Sequence, residues 1–136
     1  MKTLGELYAF AAREGIETHG VRCPHAGAIA AVVDGVSVIG LDRSLLKHEN
    51  RERLALAHEL GHTVTGAYYD RPDDPVNVRR MEWRAQKWTI NQLVPREELD
   101  PLLTEDVTLW ELADRFDVPE DMIKKAFWLY YKKELA

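Results

Sequence analysis

Three side chains in the middle of the chain have the types and spacing of a metal site. His58, Glu59 and His62 form an H-E-x-x-H sequence inside a stretch with the apolar periodicity of a helix. Histidines four residues apart project from one helical face, so both imidazoles can bind one ion. Nitrogen ligands suit Zn²⁺, which favours tetrahedral sites of His, Cys and carboxylate. Glu59 lies beside such an ion, where it can accept a proton from water as a general base.

A catalytic zinc site requires a third protein ligand and an open position for water. Glu82 is the strongest candidate, because it shares a stripe of a second predicted helix with Ala85, Thr89 and Leu93. A carboxylate on such a half-buried face requires a cation. The sequence therefore predicts that His58, His62 and Glu82 bind the metal.

Two alternatives to this assignment stay open at the level of sequence. Glu82 could form a salt bridge with Arg79 or Arg80 instead of binding a metal. The third ligand could also come from the acidic loop that precedes the second helix. The carboxylates of that loop are Asp70, Asp73 and Asp74.

Hydrophobic periodicity predicts the elements that must position these residues. Helices are expected at residues 4–13, 49–64, 79–93, 97–103, 108–116 and 119–133, and strands at 16–22, 29–33 and 36–41. Asp34-Gly35 separates the last two strands and favours a tight hairpin turn. The predicted fold is α+β: a small antiparallel sheet packed on a zincin-like helix that carries the motif, followed by a helical C-terminal half.

Length and composition restrict the class of protein. The 136 residues predict a single domain, 1–136, with a catalytic part at 1–95 and a helical subdomain at 96–136. One cysteine, Cys23, excludes an internal disulfide framework, and no apolar run approaches 18 residues. A cytoplasmic protein is expected. The net charge of −5 disfavours nucleic acid as the main partner.

The chain resembles the ImmA/IrrE family of metallopeptidases over about residues 16–95. The resemblance rests on H-E-L-G-H at 58–62, on Glu82 followed by Ala85, and on Leu93 followed by Pro95. Trp88 stands where the family usually has phenylalanine, a difference that affects packing more than metal binding.

The resemblance implies an activity and a partner. It implies a zinc-dependent endopeptidase in which His58, His62 and Glu82 bind Zn²⁺ and Glu59 is the catalytic base. Family members are encoded in phages and integrative elements and act as anti-repressors that cut a helix-turn-helix repressor. The alternative is a non-proteolytic metal-binding regulatory module that acts through protein or DNA contacts.

Peptide cleavage also requires groups that hold the substrate. Strand 36–41 is the expected edge to which a substrate backbone would add. Tyr68 and Tyr69 could stabilise an oxyanion, although a packing role is more common for aromatic residues at a helix end. Cys23 could cap the zinc as a thiolate, but an unpaired cysteine is usually an idle thiol.

Residues 109–119 resemble the first helix and turn of a helix-turn-helix motif. Residues 104–136 carry five basic and eight acidic side chains, a net charge of −3, and the next helix begins with Glu120 and Asp121. Acidic residues there would face DNA phosphates with the wrong sign. The tail is therefore interpreted as a packing or repressor-docking subdomain. The four tryptophans, Trp83, Trp88, Trp110 and Trp128, are interpreted as core anchors, and Gly61 as a site of close packing.

Overall fold

The computed structural model describes residues 1–67 and 74–132, which form six α-helices, two 3₁₀ turns and three strands. The strands are β1 (Glu17–Val21), β2 (Ala28–Val33) and β3 (Val36–Asp42). The helices are α1 (Leu4–Arg13), α2 (Glu49–Thr65), α3 (Pro75–Leu93), α4 (Arg96–Leu99), α5 (Leu109–Phe116) and α6 (Glu120–Tyr131). The predicted α+β class with a helical C-terminal half is confirmed.

The three strands form one mixed sheet in the order β1-β3-β2. Strands β2 and β3 are the predicted antiparallel hairpin. Its turn residues Asp34 and Gly35 both have positive φ, 51° and 79°, as a type I′ turn requires. Strand β1 pairs with the opposite edge of β3 in parallel, so the sheet is mixed and the predicted antiparallel arrangement holds for β2 and β3 alone.

The position of β3 overturns one expectation from the sequence. Strand 36–41 was expected to be a free edge for substrate, but β3 pairs with β1 on one side and β2 on the other. Strand β3 is central and is the most buried of the three, with Ile39, Gly40, Leu41 and Asp42 all buried. The edges of the sheet are β1 and β2.

Helix α2 packs against β2 and β3 and forms the core of the N-terminal part with α1. The fully buried side chains of β3 and α2 are Ile39, Leu41, Leu56, Ala57 and Leu60. Helix α2 ends at Gly66, whose left-handed φ of 66° closes the last turn. Packing against the sheet therefore determines which face of α2 is buried, and Gly66 determines where the helix ends.

Helix α3 begins four residues earlier than predicted, at Pro75. Proline suits the first helical position because its missing N–H would have no partner there. Asp74 caps this end, since its Oδ1 accepts from the backbone N–H of Val76 at 3.0 Å. The predicted loop over 67–78 is therefore shorter at its C-terminal side.

The helices after residue 90 have a core of their own. Its buried side chains are Leu93, Val94, Leu99, Leu112, Phe116, Val118, Ile123 and Ala126. Two tryptophans do not belong to it: Trp110 and Trp128 are 62% and 48% exposed. Their interpretation as core anchors is wrong, because each lies on the solvent side of an amphipathic helix. Within the described ranges no helix is both long and apolar enough to cross a membrane.

Contacts divide the chain into two compact units. The first comprises Lys2–Thr89, with the sheet, α1, α2 and most of α3. The second comprises Ile90–Ala136 together with Met1. The arrangement of residues 1–136 as one domain stays a prediction.

Candidate metal centre

Helix α2 presents His58 and His62 one turn apart on the same face. Their Nε2 atoms are 3.2 Å apart, and their rings meet edge to face with centroids 4.8 Å apart. His62 is buried, with 6% exposure, and the His58 side chain is about one-third exposed. The pair therefore has one side in the protein and one side open to solvent.

Glu82 on α3 completes a compact cluster with the two histidines. Its Oε2 lies 3.1 Å from Nε2 of His58, and its Oε1 lies 3.0 Å from Nε2 of His62. One ligand atom from each of the three residues lies within 4.8 Å of the others. Among residues 1–67 and 74–132 this is the one such group of three.

The cluster forms because α2 and α3 come unusually close. A Cβ built on Gly61 would lie 2.5 Å from the Ala85 carbonyl oxygen and 3.0 Å from Thr89 Oγ1. Real Cβ atoms do not tolerate such a distance from a backbone atom. The prediction that Gly61 permits close packing is confirmed, and it explains why a helix breaker stands in the middle of α2.

The backbone after α2 sets the tautomer of His62. Its Nδ1 lies 2.6 Å from the carbonyl oxygen of Ala67. A carbonyl only accepts hydrogen bonds, so Nδ1 carries a proton, and Nε2 is the ring nitrogen that faces Glu82. The 3.0 Å between Nε2 and the carboxylate oxygen is a distance at which the two groups share a cation, either a proton on the ring or a metal ion.

The spacing of the donor atoms fits a small tetrahedral ion. Zinc binds His nitrogen and carboxylate oxygen at about 2.0–2.2 Å, so two of its tetrahedral ligands lie about 3.3–3.5 Å apart. The two imidazole nitrogens are 3.2 Å apart here, and each has one of the two Glu82 carboxylate oxygens at 3.0 or 3.1 Å. Two nitrogens and a carboxylate also form a donor set typical of catalytic zinc. The residues present therefore fit Zn²⁺.

Glu59 follows His58 on α2 and has its side chain half-buried. Burial raises the pKa of its carboxyl above the ordinary value; the Glu82 carboxylate adds to this rise, and His62 opposes it. A carboxylate with a raised pKa is a stronger base. Glu59 thus has the environment of a proton acceptor, next to the cluster rather than within it.

The other residues considered from sequence have different positions. Asp74 caps α3, whereas Asp70, Asp73, Tyr68 and Tyr69 lie outside the described residues. The pKa of the Cys23 thiol is raised, first by its burial and then by the charges of Asp42 and Glu59. A raised pKa disfavours the thiolate that a zinc-capping cysteine requires.

Two groups beside the cluster were missed in the sequence. The Ala67 carbonyl has no sequence signal of its own, although Gly66 at the helix end indicates where the chain turns. Thr89 has a weak signal, since it is the polar residue on the stripe of Glu82, Ala85 and Leu93.

The fold and the site together define an α+β domain with a helix-borne His-Glu-x-x-His sequence and a carboxylate supplied by the next long helix. The chain belongs to the IrrE N-terminal-like domain family, Peptidase M78, whose family model matches residues 23–127. The match extends past Pro95, so α5 and part of α6 also belong to the family domain. Membership of this family supports a metallopeptidase-type function. Comparison with curated proteins and with solved structures gives no significant match.

Proposed function

We propose that this protein is a zinc-dependent endopeptidase. His58, His62 and Glu82 hold the metal, and Glu59 is the general base. The observation that carries the proposal is the cluster itself: Nε2 of His58, Nε2 of His62 and the Glu82 carboxylate approach one another to 3.0–3.2 Å, and the Ala67 carbonyl orients the His62 ring. Family membership supports the same chemistry.

The chemistry divides between the ion and the chain. Bound zinc supplies Lewis acidity, which lowers the pKa of a water molecule and polarises the scissile carbonyl. Glu59 would accept a proton from the attacking water as its oxygen bonds to the carbonyl carbon, and would donate that proton to the amine nitrogen as the C–N bond breaks. His58, His62 and Glu82 orient the reacting centre, and the buried side of His62 keeps the donor set fixed.

The substrate backbone is proposed to pair with β2. This strand is an edge of the sheet, and α2, which carries the histidines, packs against it. Among the described residues β2 pairs with β3 alone, so its outer N–H and C=O groups can add one strand. An extended, unfolded segment is therefore the form in which a protein would be cut.

We propose a helix-turn-helix repressor as the substrate, with the protein acting as a cytoplasmic anti-repressor of a phage or mobile element. Support comes from the resemblance of about residues 16–95 to the ImmA/IrrE family. The net charge of −5 also favours a partner with a basic, DNA-binding surface. DNA itself is disfavoured, because the first turn of α6 carries Glu120 and Asp121.

The test compares wild type, Glu59→Gln and Glu49→Gln, each loaded with zinc and mixed with helix-turn-helix repressors, beginning with any that is encoded beside the gene. Glu49 lies on the same helix in an exposed position and is the matched control. We expect Glu59→Gln to keep its zinc and to cleave at least ~100-fold more slowly, since general bases contribute about 10²–10⁴-fold. Glu49→Gln should cleave like wild type.

Each result distinguishes between functions. Equal cleavage by Glu59→Gln and wild type would exclude Glu59 as the base. Zinc retention by the wild type without cleavage of the repressor would favour the non-proteolytic metal-binding module. Salt-dependent binding to duplex DNA would instead indicate that the C-terminal helices bind DNA.

A further inference from the structure

The crossing of α2 and α3 holds a hydroxyl group that neither the motif nor the family resemblance assigns. Thr89 is 2% exposed, and its Oγ1 lies 3.1 Å from the Ala57 carbonyl oxygen on α2. It also lies 3.0 Å from the Ala85 carbonyl oxygen, one turn back on its own helix. A single hydroxyl proton is therefore positioned between carbonyls of both helices.

The bond from Thr89 to α2 reaches the turn that carries the metal ligands. Ala57 directly precedes His58, and Thr89 lies two turns after Glu82 on α3. The hydroxyl is thus a second polar link, besides the contact of His58 with Glu82, from the His58 turn to α3. Gly61 lies at the same crossing, where its missing side chain leaves room for the Ala85 carbonyl and for Thr89 Oγ1.

The geometry points to Thr89 as a positioning residue for the metal centre, an inference that rests on the proposed zinc site. Its hydroxyl fixes the position and rotation of α3 relative to α2. It thereby determines where the Glu82 carboxylate lies relative to the two imidazoles. Apolar packing alone is non-directional and tolerates small shifts. A buried hydrogen bond has a preferred distance and direction. Mutation of residues that hold metal ligands in place commonly changes metal affinity by 10–100-fold.

The test measures metal binding in variants that differ by the hydroxyl group. Thr89→Ser keeps it and Thr89→Ala removes it, with the same loss of a methyl group in both. Thr89→Val removes it at nearly constant shape. Thr65→Val is the matched control, because Thr65 Oγ1 bonds the Gly61 carbonyl of its own helix, at 2.7 Å. Zinc affinity is measured by competition with a chromophoric chelator, and Co²⁺ absorption reports the geometry of the site.

We expect Thr89→Ala and Thr89→Val to bind zinc ~10-fold more weakly than wild type and to change the Co²⁺ absorption bands. Thr89→Ser and Thr65→Val should stay within ~3-fold of wild type and keep its spectrum, because the cross-helix hydroxyl is retained in both. Circular dichroism of the metal-free proteins checks that each variant is folded. A purely structural role would lower the melting temperature without moving the Co²⁺ bands.

The possible outcomes distinguish a failure of the proposed role of Thr89 from a failure of the proposed zinc-dependent function. If wild type binds zinc and the Ser and Ala variants bind it equally with one spectrum, the positioning role is overturned and the zinc site stands. If Thr89→Val fails to fold, the Ser–Ala comparison still decides. If wild type binds neither Zn²⁺ nor Co²⁺, the proposed function fails, and the role of Thr89 fails with it.

Discussion

The two compact units differ in what they bury. In Lys2–Thr89 the core includes polar and charged side chains, whereas in the described part of the second unit, residues 90–132, the buried side chains are apolar. The buried polar or charged residues are Asp42, Glu52, Arg53, His62 and Thr89. A cavity of about 390 Å³ in the second unit, beside α5, is lined partly by Leu102, Val107 and Leu112, and no histidine is among its lining residues.

This difference shows where the chain holds its chemistry. Burying a polar group costs free energy unless it has a partner, so such groups concentrate where they are needed. His62 bonds the Ala67 carbonyl and Thr89 the Ala57 carbonyl. Residues 90–132 of the second unit have an ordinary apolar helical core, with their carboxylates at the surface. We therefore expect changes in the first unit to act on metal binding, and changes in the second to act on stability alone.

The largest expected effect is the loss of a ligand. Glu82→Ala should lower zinc affinity by more than ~100-fold, because removing even an indirect partner of a ligand costs 10–100-fold. Glu105→Ala makes the same chemical change at an exposed position of the second unit and should leave affinity unchanged. Chelator competition measures both. Full affinity in Glu82→Ala would return the third ligand to the aspartates before α3.

Adding zinc should also distinguish the two units by hydrogen exchange. At free zinc 100 times its dissociation constant, any opening that breaks the site becomes about 2.7 kcal/mol less favourable. Amides of α2 and the first turns of α3 should therefore exchange up to ~100-fold more slowly, while α5 and α6 keep their rates. Mass spectrometry of peptides from each helix measures this. Equal protection throughout would mean that the two units open together.

Gly61→Ala tests the close approach of the two helices. Its Cβ would overlap the Ala85 carbonyl oxygen, and the overpacking cost of about 1–3 kcal/mol should exceed the gain of about 1 kcal/mol in helix propensity. Urea unfolding should show a net loss of stability, together with weaker zinc binding. Gly5→Ala in α1, where a Cβ meets nothing within 4 Å, is the control and should be neutral or stabilising. An increase in the stability of Gly61→Ala over wild type would contradict the close approach of α2 and α3 at Gly61.

Tyr130→Phe should produce the smallest effect, confined to the stability of the second unit. The Tyr130 hydroxyl donates to the Val94 carbonyl at 2.8 Å, so its loss should cost about 1 kcal/mol at pH 7 without changing zinc affinity. Burial raises the pKa of Tyr130, and the nearby Glu97 and Tyr131 add to the rise against the opposing charge of Arg96.

The sign of that pKa shift gives a pH dependence. Above pH ~10 an unfolded tyrosine ionises while the folded protein keeps Tyr130 neutral. This favours unfolding, so the contribution is complete below pH ~10 and is lost as the pH rises through the raised value. The stability difference between wild type and Tyr130→Phe should narrow above pH 10 in urea titrations. A constant difference would mean that the hydroxyl is exposed to solvent.

Local signals predicted the elements well and their arrangement only in part. The Asp34-Gly35 hairpin and helix α2 follow from short-range turn and periodicity rules, and both are present. The start of α3 was missed because Pro75 resembles a loop residue when its capping partner Asp74 is not recognised. The central place of β3 was missed because β1 pairs with it across 20 residues, a contact with no local signature.

By itself the sequence determined the chemistry that is available. Two histidines at a helical spacing can meet one ion, and Glu82 has the right type and helical stripe to join them, because helix geometry fixes which side chains share a face. The tertiary structure decided which groups act on them. It brought Thr89 to Ala57 and Glu82 to the two histidines, and it made β2 an edge of the sheet. The contact between Thr89 and Ala57 depends on how closely Gly61 lets two helices approach, a distance that only packing in three dimensions can set.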